Sequence, residues 1–185
     1  MKNEDENRDG LEDLGILYLS GSLDDHKSEA LSKQIIEMNM RTLDSIQLII
    51  NSPGGSVSAG FALLDVMAWS RLPIRTTGLG QIASMGLMVF MAGTPGHRVI
   101  TSRVSILSHR FSWWAVGNHS ELLMQRKEID LTHQRILAHY RQHTRLKTDD
   151  AIQTHLLRDV DSWLTPDEAV KFGIADIIEA GGAKS

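Results

Sequence analysis

Along this chain short continuous apolar runs alternate with longer stretches at helical spacing. Residues 16–19 form an apolar run stopped by Ser20, Gly21 and Ser22, the pattern of a buried strand. Over residues 24–39 the apolar positions Ala30, Leu31, Ile35, Ile36 and Met38 recur near the helical period between polar neighbours, which predicts a helix. A second strand, 46–50, runs into Asn51-Ser52-Pro53-Gly54-Gly55, and a helical pattern follows over 56–70. Residues 74–77 supply a third strand, broken at Gly78 and Gly80, and 84–92 read as a short, buried apolar helix. Strands alternating with helices of this length predict an α/β fold, its parallel sheet covered on both faces and joined by right-handed crossovers.

Beyond this point, 99–101 and 105–107 suit short strands, and a polar-rich helical pattern runs over 120–144. Its apolar positions, Leu122, Leu123, Ile129, Ile136, Leu137 and Tyr140, are too sparse for a core helix and suit a partner surface, so this helix is expected to project. Thr165-Pro166-Asp167-Glu168 places a capping threonine before a proline and a glutamate three residues after the cap, predicting a helix that ends near Gly173. The expected organisation is a polar acidic tail over 1–14 and one domain over 15–185, with no repeat or linker dividing it.

Composition narrows the chemistry. An apolar share of 42% with 23% charged residues is that of an ordinary globular protein, and 185 residues can bury a sizeable core. With no cysteine, disulfides, thiolate catalysis and cysteine-ligated zinc are excluded, so any nucleophile is an oxygen or an amine. A net charge of -4, with no cluster of basic residues interleaved with aromatics, argues against nucleic acid as a partner. The amino terminus lacks the basic-then-apolar order of a secretory signal, and the apolar stretch at 85–92 is too short for a bilayer, so the expected location is cytoplasmic.

Serine-dependent acyl transfer needs a hydroxyl beside a base, an acid that fixes the base, and donors for the developing oxyanion. Ser84, in Gly80-Gln81-Ile82-Ala83-Ser84-Met85-Gly86, sits where a loop passes into a helix, so nearby backbone N–H groups can stabilise negative charge; alternatively it is an ordinary helix cap. The Gly54-Gly55 pair follows a strand at the carboxyl edge of the sheet, where Gly55 can donate to an oxyanion, or else it makes a plain tight turn. No lysine follows the glycines as a Walker phosphate loop requires.

Taken in order, Asn51-Ser52-Pro53-Gly54-Gly55, then Gly80 to Gly86, then Ile106-Leu107-Ser108-His109, the chain resembles the Clp protease proteolytic subunit. The likeness continues through the long helix and through Asp159-Val160-Asp161-Ser162-Trp163-Leu164-Thr165, Glu168-Ala169 and Phe172 to Asp176, covering roughly 15–178. The resemblance implies a crotonase-like core with a projecting handle around 108–146. It implies Ser84 as nucleophile, His109 as general base, Asp161 as the acid orienting it, and the N–H groups of Gly55 and Met85 as the oxyanion hole, without metal or other cofactor. Asp159, two residues from Asp161, remains the alternative acid, one of the two capping the following helix. Further implications are a homo-oligomer of two stacked seven-membered rings, unfolded polypeptides as substrates cleaved at apolar side chains, and a Clp-family unfoldase ATPase that carries any ATP dependence.

Two departures stand out. Where the family has Gln-Pro and then glycines after the histidine, this chain has Arg110-Phe111-Ser112-Trp113-Trp114, whose indoles narrow a substrate channel, strengthen a ring contact or merely pack locally. Val160 replaces an arginine that pairs across the ring interface. A weakly active or non-catalytic subunit of a mixed ring is therefore the second reading. An acyl-CoA enzyme of the wider crotonase fold is a third, which the Ser84, His109 and Asp161 set argues against.

Overall fold

Three parallel strands position the chemistry. The computed structural model describes residues 10–113 and 116–180; the acidic residues 1–9 and Trp114 lie outside them. Strands β1 (Ile16–Ser20), β2 (Ile46–Ser52) and β3 (Ile74–Ala83) pair side by side, connected by α1 (Asp25–Met38) and α2 (Val57–Trp69). Along β2 every second residue, Ile46, Leu48, Ile50 and Ser52, is buried, and the apolar side chains of Ile46, Leu48 and Ile50 join the main core. Helix α1 begins where Asp24 accepts a hydrogen bond from the Lys27 N–H, and it buries the stripe Ser28, Leu31, Ile35 and Met38.

Strand β3 departs from expectation, because it continues through Gly78 and Gly80 to Ala83. Its neighbours hold it extended. A register shift against β2 between Ile50 and Ser52 absorbs the irregularity, and the Asn51 carboxamide oxygen accepts from the Gln81 N–H at 3.1 Å. The first half of β3 pairs with β4 (Arg98–Thr101) and the second half with β5 (Ser105–Ser108), so the sheet forks at the glycines. Strand β5 in turn pairs antiparallel with β6 (Ser162–Leu164), and β7 (Ile177–Glu179) lies parallel to β4. The sheet is therefore mostly rather than wholly parallel. Three-residue strands such as β6 and β7 are too short to display an alternation, which is why the pattern did not reveal them.

Helices α3 (Met85–Met91) and α4 (His119–His143) pack across one another. All seven residues of α3 are buried. Helix α4 starts with a capping box between Asn118 and Glu121, and its first half is turned to solvent. Thr132, Ile136, Leu137 and Tyr140 near its end are buried, so the sparse apolar stripe does serve the core there, contrary to expectation. Helix α5 (Asp149–His155) follows, and α6 (Pro166–Phe172) has the expected capping box at Thr165 and ends at Gly173. No described helix is long and apolar enough to cross a membrane.

The contact between α4 and α3 is polar as well as apolar. His139 donates from Nε2 to the Met88 carbonyl at 2.9 Å, and its ring lies 4.4 Å from that of His143. Burial, and then the neighbouring His143, push the His139 imidazole down to about 3. Burial, followed by Arg98 and Lys147, lowers His143 as well. A folded chain that holds His139 neutral while the unfolded chain protonates it loses stability as pH falls from the ordinary value of 6.5 toward about 3. His139→Gln, which keeps a donor for Met88, is expected to flatten that decline. Urea denaturation across this pH window checks it, and parallel pH profiles for variant and parent would contradict it.

Candidate active site

Ser84 joins the end of β3 to α3 and is the one described non-glycine residue with positive φ, at φ 54 and ψ -125. A serine in this region costs about 1–3 kcal/mol and persists only where its surroundings fix it. Its N–H donates to the Leu107 carbonyl of β5 at 3.1 Å, and its carbonyl accepts from the N–H groups of Leu87 and Met88. The hydroxyl makes no capping bond to the helix. Backbone contacts thus hold the sharp turn while the Oγ stays uncommitted and half-buried, which disposes of the plain cap reading.

Against this turn lies the Gly54-Gly55 segment. Gly54, at φ +93, approaches so closely that a Cβ there would stand 2.7 Å from the Ala83 carbonyl and the Ser84 Cβ, and 2.9 Å from the Met85 nitrogen. Gly55, at φ +150, faces Leu23, whose carbonyl a Cβ would meet at 2.1 Å. Leu23 clamps the segment from both sides, donating to the Gly54 carbonyl and accepting from Ser56, each at 2.8 Å. The Ser52 hydroxyl accepts from the Gly54 N–H at 3.1 Å. The N–H groups of Gly55 and Met85 enter no hydrogen bond among the described residues, so two backbone donors remain available near Ser84.

His109 follows β5 directly, as Ser84 follows β3, and the pairing of Ala83 with Leu107 sets the two loop starts side by side. Both residues line one small crevice with Met85, Met88, Phe111, Ile136 and Tyr140. The antiparallel ladder ends with Ser108 opposite Ser162, so one further step sets His109 opposite Asp161. No hydrogen bond joins Ser84 to His109 or His109 to Asp161 among the described residues, and Asp161 is exposed. Asp159, the alternative acid, pairs with Arg110, which also donates to the Leu157 carbonyl at 2.8 Å. Neither aspartate caps the following helix; Thr165 does.

The sequence pattern gives Tyr140 and Ser108 no role in the site. Their hydroxyls share a buried hydrogen bond of 2.7 Å, which anchors the residue before His109 to α4. Burial, partly offset by that bond to Ser108, pushes the Tyr140 phenol up to about 12, so it stays protonated and neutral. A tyrosine on the buried stripe of a helix was the available signal. Across the ladder the buried Ser162 hydroxyl has no partner, for which nothing in the structure accounts. A larger groove of about 760 Å³, lined by Asp65, Arg135, His139 and His143 among others, lies between α2 and α4 and does not include Ser84. Among the described residues no three acidic or histidine side chains gather as a metal site would require.

The arrangement permits attack by a serine on a carbonyl whose oxygen is received by backbone N–H groups. Its tightest requirement is the missing side chain at Gly54. Gly54→Ala is expected to lower stability by roughly 2–4 kcal/mol, because the strained φ and the clash with the Ser84 turn act together. Urea denaturation measures this, and a loss under about 0.5 kcal/mol would mean that the close approach is not maintained in solution.

Comparison with known families bears on the same segments. The Clp protease family model matches residues 3–181, which takes in β2 with its glycine turn, the Ser84 turn, the end of β5, α4 and the β6 segment. A match over nearly the whole length means that this chain belongs to the Clp protease family.

Proposed function

We propose that this chain is a serine endopeptidase subunit of a self-compartmentalised Clp-type protease. The family implies peptidase activity, generally of the serine type, and its members generally form oligomeric rings with ATPase partners. The observation that carries the reading to particular residues is the strained Ser84 turn, its hydroxyl uncommitted, sharing a crevice with His109 and pressed against Gly54. Ser84 Oγ attacks the peptide carbonyl carbon as His109 accepts its proton, and the N–H groups of Gly55 and Met85 receive the oxyanion. Collapse breaks the C–N bond, with the His109 proton passing to the leaving amine. A water then attacks the acyl-serine, His109 again acting as base, and releases the acid and free Ser84. Asp161, across the ladder from His109, fixes the imidazole tautomer once its carboxylate swings onto the ring.

In this reading residues 15–185 form one peptidase domain of crotonase-like type, α4 is the handle, and subunits stack as two seven-membered rings. Unfolded polypeptides are the substrates, delivered in the cytoplasm by a Clp-family unfoldase that consumes the ATP. The chain itself needs no cofactor. One observation favours the second reading, a weakly active subunit of a mixed ring: Asp161 is exposed and unbonded to His109, beside an exposed Val160.

Intact-mass spectrometry after fluorophosphonate treatment tests the proposal. The parent is expected to label stoichiometrically, and Ser84→Ala and His109→Ala to lose the label. Peptide turnover should fall by at least about 100-fold in Asp161→Asn and by less than about 3-fold in Asp159→Asn, whose exposed ion pair with Arg110 is worth little. A well-folded, ring-sized parent that takes no label would favour the structural subunit.

A further inference from the structure

The crevice beside Ser84 is unusually full. Its free volume is about 20 Å³, close to the 10–15 Å³ that a single water needs. Met85 and Met88 line it from α3, Phe111 from the segment after His109, and Ile136 and Tyr140 from α4. Ile136 and Tyr140 are buried in the main core, and the Tyr140 hydroxyl is bound to Ser108, so neither can turn aside without breaking packing or a hydrogen bond. Phe111 is different. It is only partly buried, and it also lines a neighbouring cavity of about 340 Å³ together with Trp113, Ile129 and His133. Phe111 is therefore common to the lining of a space of about 20 Å³ beside Ser84 and of one of about 340 Å³ next to it.

Resting on the peptidase reading, we infer that Phe111 is a specificity-determining residue, restricting the side chain on the acyl side of the cleaved bond to small ones such as alanine or serine. An alanine methyl fits the free volume, whereas the branched chain of leucine or the ring of phenylalanine has to displace Phe111 or the α4 residues. Overpacking of that kind costs about 1–3 kcal/mol, which corresponds to roughly 5- to 150-fold in rate. This narrows the apolar preference expected from the sequence to its smallest members. Replacing Phe111 by a small residue joins the two cavities and admits large apolar side chains.

The test uses the full-length parent, Phe111→Ala and the milder Phe111→Val, each given fluorogenic peptides that differ only in alanine, leucine or phenylalanine before the cleaved bond. Fluorophosphonate labelling of Ser84 is followed in parallel. The parent is expected to prefer alanine over leucine by at least about tenfold in kcat/KM. The leucine-to-alanine ratio should rise at least about tenfold in Phe111→Ala and by less in Phe111→Val. If Ser84 labels but the parent cleaves the leucine peptide as well as the alanine one, the pocket inference fails while the peptidase reading stands. The inference also fails if the parent prefers alanine but both variants keep the parent's ratio. If Ser84 takes no label and no peptide is cleaved, both fail together.

Discussion

The approach of the Gly54 backbone to the turn at Ser84 is the constraint on which the rest of the site depends. With less than 3 Å between a would-be Cβ and three atoms of the Ala83 to Met85 turn, the two chain segments are in backbone contact. That contact exists because β2 and β3 remain paired past their register shift, Ser52 meeting Ile82, and because Leu23 clamps the glycine segment from the other side. Hydrogen-bonded strands deliver both segments to the same sheet edge, and glycine lets them touch. Everything chemical about Ser84 follows from this: an uncommitted hydroxyl, a positive φ and two spare N–H donors close by.

The second half of the site is assembled differently. His109 is placed by β5, which pairs with β3 on one side and β6 on the other, and His109 and Asp161 flank the same end of that short antiparallel ladder. A bond from Tyr140 to Ser108 fastens the strand end to α4, and Arg110 ties the following residue to Leu157 and Asp159. Ser84 thus rests on long parallel strands, while His109 and Asp161 depend on three paired residues and a few side-chain bonds. Backbone hydrogen bonds hold the Ser84 turn, and Asp161 is left in solvent.

Much of this was legible in the sequence. The first three strands and helices follow from their apolar runs, and the capping box at Thr165 and Glu168 located α6 because its mechanism is local. The glycine pair and the Ser84 segment stood out because each lies where a strand gives way to a helix. What escaped was set by tertiary context. Nothing local says that β3 continues through two glycines, since pairing partners on both sides decide it. Nor does it say that Asp159 binds Arg110 while Asp161 stays free, or that Tyr140, on a helix read as projecting, reaches under the strand that carries His109. The crevice is lined by seven residues that come from the Ser84 turn and α3, the segment after β5, and α4, and no periodicity encodes it.

All seven residues of α3 are buried, and this helix begins immediately after the strained serine. An element with no solvent face cannot fray by itself; its amides exchange with water only when the surrounding core opens. The torsional strain at Ser84 is therefore held by the whole cooperative unit and not by its own loop. Ser84 has no partly relaxed local state to visit, so the folded protein keeps this backbone geometry up to the edge of unfolding and surrenders it all at once.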